Sequence, residues 1–186
     1  MPTKGDFFMS NSKVLELTET AIAAALALVL SFISINYAQV FYLELAVIPL
    51  LVLALRRGVF WGMTGGLVFG LLLIVLGQAT ILTPVQTLLE YIVAPLSLGL
   101  AGILRKKDSS QTRTIFAVAF LGVLIKYFWH FVAGVIFWGQ YAWKGWGALP
   151  YSFVVNGISG LATATLAALV LVVLSKSAPQ IFHTKK

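Results

Sequence analysis

The chain reads as an all-α integral membrane protein of six transmembrane helices, and three observations predict it. Apolar residues make up 60% of the 186 and charged residues only 10%, too little polar surface to coat a water-soluble globule. Apolar stretches near the length that a helix needs to cross a hydrocarbon core recur at 16–35, 41–56, 58–77, 83–104, 113–138 and 149–175. The basic residues collect at the termini and in alternate connections between these stretches. No room is left for a soluble domain, so residues 1–186 are expected to form one transmembrane domain.

The charge pattern sets the orientation. Lys4, Lys13, Arg56, Arg57, Arg105, Lys106, Lys107, Arg113, Lys176, Lys185 and Lys186 lie at the termini or in the 2–3 and 4–5 connections. With six spans these places share one side, and the positive-inside rule makes it the cytoplasm. The expected protein is multi-pass in the plasma membrane with both termini cytoplasmic. Its net charge of +7 then reflects topology and contact with anionic membrane lipid, not a nucleic-acid partner. Glu16 and Glu19 head the first apolar stretch and no small-residue cleavage site follows, so the first helix reads as uncleaved.

Several chemistries are excluded. Without cysteine there are no disulfides, thiolate metal sites or thiol nucleophiles. His130 stands alone among the spans and His183 lies in the polar tail, which makes no histidine-rich metal site. No G-x-x-x-x-G-K phosphate loop occurs, so energy for uphill movement must come from elsewhere. No cofactor and no metal are expected.

Along the helices, Ala21 and Ala25 lie one turn apart on helix one, a small-residue face that serves either packing within the chain or docking of a membrane partner. Gly58, Gly62, Gly66 and Gly70 form a groove down helix three, read as internal helix packing. Thr83 followed by Pro84 predicts an N-cap and first-turn proline for helix four. Pro49 and Pro95 sit inside predicted helices two and four, where each frees a carbonyl and bends its helix.

Ionisable groups inside spans are costly and face a cavity or a partner, which singles out Glu44, Glu90, Lys126 and His130. At about 1.5 Å per residue, Glu90, His130 and Asn156 lie roughly 10, 12 and 10 Å below the outer ends of their helices. Lys126, His130, Gly134 and Trp138 repeat every four residues and form one stripe, with Gly134 leaving space between imidazole and indole. Tyr151 and Ser152 stand a turn above Asn156, and Tyr91 neighbours Glu90. The pocket so defined offers negative charge, hydrogen-bonding groups and flat aromatic faces, suiting a planar, positively charged heterocycle. Glu90 and Lys126 alone would make a structural ion pair, with Lys126 neutralising Glu90 from below. Glu44 either closes the pocket or snorkels to water.

The segment Leu89-Glu90-Tyr91-Ile92-Val93-Ala94-Pro95, the run Lys126-Tyr127-Phe128-Trp129-His130-Phe131-Val132-Ala133-Gly134 continuing to Phe137-Trp138, the stretch Gln140 to Gly147, and Tyr151 with Asn156-Gly157 carry a family resemblance. Here the sequence resembles the thiamine-specific substrate-binding subunit, or S component, of energy-coupling factor (ECF) transporters. The likeness runs over nearly the whole chain. It implies the S-component fold and high-affinity capture of thiamine (vitamin B1) without catalysis, with a transmembrane coupling subunit and two ATPase subunits as partners. Carried over, the family's pocket falls on Glu90, Tyr91, His130, Trp138, Tyr151 and Asn156, with Lys126, Gly134 and Trp143 close by. Ala21 and Ala25 would then belong to the face that meets the coupling subunit. The sequence departs from its relatives at Val40 and Thr80, where they place aromatics; Phe41 and Tyr42 stand nearby. Two alternatives remain at this point, an S component for another vitamin and an intramembrane enzyme using Glu90 and His130 as acid and base.

Overall fold

The computed structural model describes residues 11–33, 35–37, 40–106 and 109–183; Lys4, Lys107, Lys185 and Lys186 lie outside the described residues. Helix α1 runs Asn11–Ser31, starting and ending earlier than the predicted 16–35. Ala23, Ala24 and Ala27 turn inward and are buried, whereas Ala21 and Ala25 are exposed. Packing within the chain therefore does not account for the Ala21–Ala25 face.

The predicted second helix is corrected at its start. Residues Ile35–Tyr37 (β1) and Phe41–Leu43 (β2) pair as an antiparallel hairpin, and helix α2 begins only at Val47 and runs to Arg57. Aromatic and β-branched residues before Glu44 favour the pleated form. Pro49 consequently falls in the first turn of α2, where no intrahelical donor is required of it, and breaks nothing. Non-helical backbone at membrane depth must find partners in protein. The hairpin finds them on α6 (Ala148–Ser177): Tyr42 N donates to Ser159 Oγ at 3.1 Å and Glu44 N to Thr163 Oγ1 at 3.3 Å.

Gly58, with φ 85°, is the one-residue joint between α2 and α3 (Val59–Val75). Such a positive φ is inexpensive only for glycine. Gly62, Gly66 and Gly70 bring the α3 backbone against α4 (Pro84–Leu104). Thr83 caps α4 as predicted, accepting from Gln86 N at 3.1 Å, with Pro84 in the first turn. Within α4 the hydrogen bonding changes: residues Leu88–Val93 form a π turn and Gly99–Leu104 a 3₁₀ turn. Helix α5 (Thr112–Phe137) packs along α6, completing six crossings among the described residues.

Helices α1, α4, α5 and α6 are each long and apolar enough to span a membrane. With 17 residues α3 reaches about 25 Å, while the 11 of α2 reach only about 16 Å. The hairpin supplies the remainder of that crossing. At the end of the bundle away from the hairpin, Glu19 is gripped by Arg56 and Arg57, with N–O distances of 2.9 and 2.6 Å. Arg56 also donates to the carbonyls of Gln180, Ile181 and His183, fastening the final turn, whose Phe182 is buried.

Candidate functional site

At the hairpin end, β2, α4, α5 and α6 enclose a cavity of about 740 Å³, within the usual range for small-molecule sites. Glu44, Glu90, Tyr91, His130, Gly134, Trp138, Trp143, Tyr151 and Asn156 all line it. Lys126 does not. It faces a smaller chamber of about 270 Å³ towards α1 and α3, which shares Tyr42, Glu44, Glu90, Tyr91 and His130 with the larger one.

Glu90 sits at the centre with both carboxylate oxygens occupied. Trp138 Nε1 donates to Oε1 at 3.0 Å, and Gln86 Nε2 donates to Oε2. His130 Nδ1 lies 3.9 Å from Oε1. Behind the imidazole, Lys126 Nζ lies 3.0 Å from His130 Nε2 and also donates to Glu44 Oε2. An ammonium only donates, so Nε2 accepts and a neutral imidazole carries its proton on Nδ1, facing Glu90. Two carboxylates against one ammonium leave this cluster one net negative charge.

The expected Glu90–Lys126 pair is therefore corrected: Lys126 is taken by Glu44. The cause is the hairpin, which delivers Glu44 to α5 from the loop ahead of α2. Glu44 thus neither snorkels outward nor rides on a helix. The bare Cα of Gly134 serves a different contact from the expected gap between imidazole and indole. A Cβ there would overlap Ser152 Oγ, which donates to Phe131 O at 2.8 Å and binds α5 to α6. Asn156 donates its amide to Ser152 O and Oγ at 3.0 and 3.1 Å, leaving its carbonyl oxygen to the cavity.

The aromatic wall has two ring clusters. Trp143 stands edge-on to Tyr151 at 5.2 Å and to Trp146 at 5.0 Å, while Trp138 leans on Tyr141 at 5.7 Å. Phe41 reaches Trp143, with ring centroids 6.5 Å apart, and Val40, Tyr42 and Thr80 line the cavity. Thr80 acts through its backbone, its N–H donating to Tyr91 Oη at 2.9 Å.

Sequence reasoning missed Gln86. It is fully buried, and its amide reaches Thr80 O at 3.0 Å, Leu82 N at 3.0 Å and Glu90, tying the loop before α4 to the central carboxylate. The signal that could have found it is its place one helical turn ahead of Glu90, a second polar residue on the same face.

A charged and aromatic cavity embedded at one end of a six-crossing membrane bundle defines a membrane protein built to hold a small solute. The chain belongs to the thiamine transporter family: residues 17–183 match the family model described as thiamine transporter protein (Thia_YuaJ). It is 37% identical to thiamine transporter ThiT of Lacticaseibacillus paracasei, covering 94% of each chain. Against ThiT of Bacillus subtilis the identity is 32% over 96% of this chain and 100% of that one. The solved structure of ThiT from Listeria monocytogenes matches with a TM-score of 0.89 at 38% identity, covering 94% of this chain and 100% of that chain. These relatives are named as transporters.

Proposed function

We propose that this chain captures thiamine at the outer face of the plasma membrane as the substrate-binding subunit of an ECF transporter. The observation that carries this reading is the Glu90 carboxylate, held by two donors inside an aromatic pocket. Thiamine is a cation with a flat aminopyrimidine ring. That ring stacks on Trp138 and exchanges hydrogen bonds with Glu90, Tyr151 and the free carbonyl of Asn156. The thiazolium packs against His130 and the neighbouring aromatics, where a desolvated cation–π contact contributes about 2 kcal/mol.

The exposed Ala21–Ala25 face of α1 meets the coupling subunit, since small residues allow close helix approach. Two ATPases power release on the cytoplasmic side, where the positive-inside rule puts both termini and the Glu19–Arg56–Arg57 cluster. The chain itself needs no cofactor. Titrating purified protein with thiamine, riboflavin and biotin while following tryptophan fluorescence tests this reading. Thiamine alone should change the signal and be recovered unaltered. Silence towards thiamine would overturn the reading, and chemical conversion would return the enzyme alternative.

Gln86 is expected to matter beyond stability. Replacing it by Leu leaves Glu90 Oε2 without its donor and frees the Thr80–Leu82 loop. Hydrogen bonds to charged groups are worth about 1.5–3 kcal/mol, so the thiamine Kd should rise about tenfold or more. Fluorescence titration of Gln86→Leu checks this, and an unchanged Kd would remove Gln86 from the site.

A further inference from the structure

Two sequence features are left over once ligand contacts are assigned, the glycine groove of α3 and Pro95 of α4. They meet at the π turn. Helix α4 is α-helical on either side of Leu88–Val93, but within that stretch the bonds reach back five residues, ending with Ala94 N to Leu89 O. A π turn holds an extra residue, so relaxing it to α would change the helix register by one position, about 100° of rotation. Glu90 and Tyr91 lie in this turn, and both line the cavity.

What keeps the turn from relaxing is visible in the backbone. An α turn would close through a bond from residue 95 to the Tyr91 carbonyl, and Pro95 has no N–H to make it. The displaced Tyr91 carbonyl lies against Gly70 so closely that a Cβ at Gly70 would overlap it. The Pro95 carbonyl lies against Gly66 in the same way. Carbonyl and groove are complementary: α4 brings the Tyr91 and Pro95 oxygens against α3, which carries no side chains at Gly70 and Gly66 to block them.

We propose that Pro95 and Gly70 are positioning residues of the binding site, holding residues 88–93 in the π turn that presents Glu90 and Tyr91 together to the ligand. The proposal rests on the thiamine reading above and adds residues that do not touch the main cavity. It separates from plain helix packing by comparison with Gly62. A Cβ at Gly62 would meet Ala54 Cβ and Gly99 Cα at 3.0 Å each, a crowding of the same groove that involves no cavity residue.

The experiment measures thiamine Kd by tryptophan fluorescence and ligand-free Tm for wild type, Pro95→Ala, Gly70→Ala and Gly62→Ala. Pro95→Ala restores the missing N–H, so its Tm should equal or exceed that of wild type while its Kd rises at least tenfold. A purely structural proline would not lose affinity without losing stability. Gly70→Ala should raise the Kd at least as far, and Gly62→Ala should lower Tm with Kd within twofold of wild type. A rise below tenfold in Pro95→Ala overturns the proposal, as does Gly62→Ala weakening binding as much as Gly70→Ala. If Gly70→Ala fails to fold, Pro95→Ala decides alone. A wild-type protein that ignores thiamine defeats the ligand assignment instead, so the two failures are distinct.

Discussion

Replacing Glu90 by Gln should raise the thiamine Kd by about 100-fold, whereas replacing Glu44 by Gln should raise it by about tenfold. Both substitutions are close in shape, and both remove one negative charge from the same cluster. The comparison therefore cancels the change in net charge and leaves the difference in contact. Glu90 is the proposed partner of the ligand's aminopyrimidine ring and holds the Trp138 indole at 3.0 Å. Its loss weakens charge-assisted hydrogen bonds worth about 1.5–3 kcal/mol each. Roughly 2.8 kcal/mol is two factors of ten in Kd. Glu44 also lines the cavity, but its carboxylate is already engaged by Lys126. Its removal acts on the ligand mainly through the field of an ammonium that has lost its partner. Titrations of the two variants at one fixed ionic strength check the ranking, and equal effects would sink the central role of Glu90.

The spans and most of the pocket are legible in the sequence because a membrane leaves few choices. Carbonyls and amides must be satisfied within a helix, charges must face protein, and depth follows from counting residues. That counting brings Glu90, His130 and Asn156 to one level, and the structure places all three on one cavity. The features that escape are those decided by distant backbone. A three-residue strand carries too little periodicity to stand out from an apolar run, so 41–56 reads as one helix. Once the hairpin is in place it delivers Glu44 to Lys126, 82 positions away, a pairing that no local pattern records. The π turn is equally hidden, because Pro95 announces a bend but not which carbonyl moves or where it lodges. Gln86 lies within reach, since it stands on the Glu90 face, but its polarity alone does not reveal its partners. At Val40 and Thr80 the missing aromatics are offset differently: Phe41 extends the wall to Trp143, while Thr80 donates its N–H to Tyr91 and accepts from Gln86 at its carbonyl.

Replacing Lys126 by Met should produce a large loss of stability, and adding Glu44→Gln should restore most of it. Lys126 is only 4% exposed, and its ammonium is shared between Glu44 and His130. Deleting one partner of a buried ion pair costs about 3–5 kcal/mol, because the remaining charge stays desolvated. The Glu44 side chain keeps 29% of its exposure through the cavity, which puts the expected cost at the low end, about 3 kcal/mol. For a chain of this size each kcal/mol moves Tm by about 2–4 °C, so Lys126→Met should melt roughly 6–12 °C lower. In the double variant both charges of the Lys126–Glu44 pair are gone, and two neutral side chains of similar length fill the same space. Its Tm should return most of the way to wild type, giving a coupling energy of about 2 kcal/mol or more, within the range for residues in direct contact. Thiamine affinity should not return with it. A methionine thioether cannot donate to His130 Nε2, so nothing then fixes the imidazole proton on the Nδ1 side that faces Glu90. Thermal melts of the four proteins, with a thiamine titration of each, separate the two roles. A double variant as unstable as Lys126→Met alone would mean that Lys126 supports the fold through something other than Glu44. Full recovery of affinity would mean that the His130 contact does not organise the site.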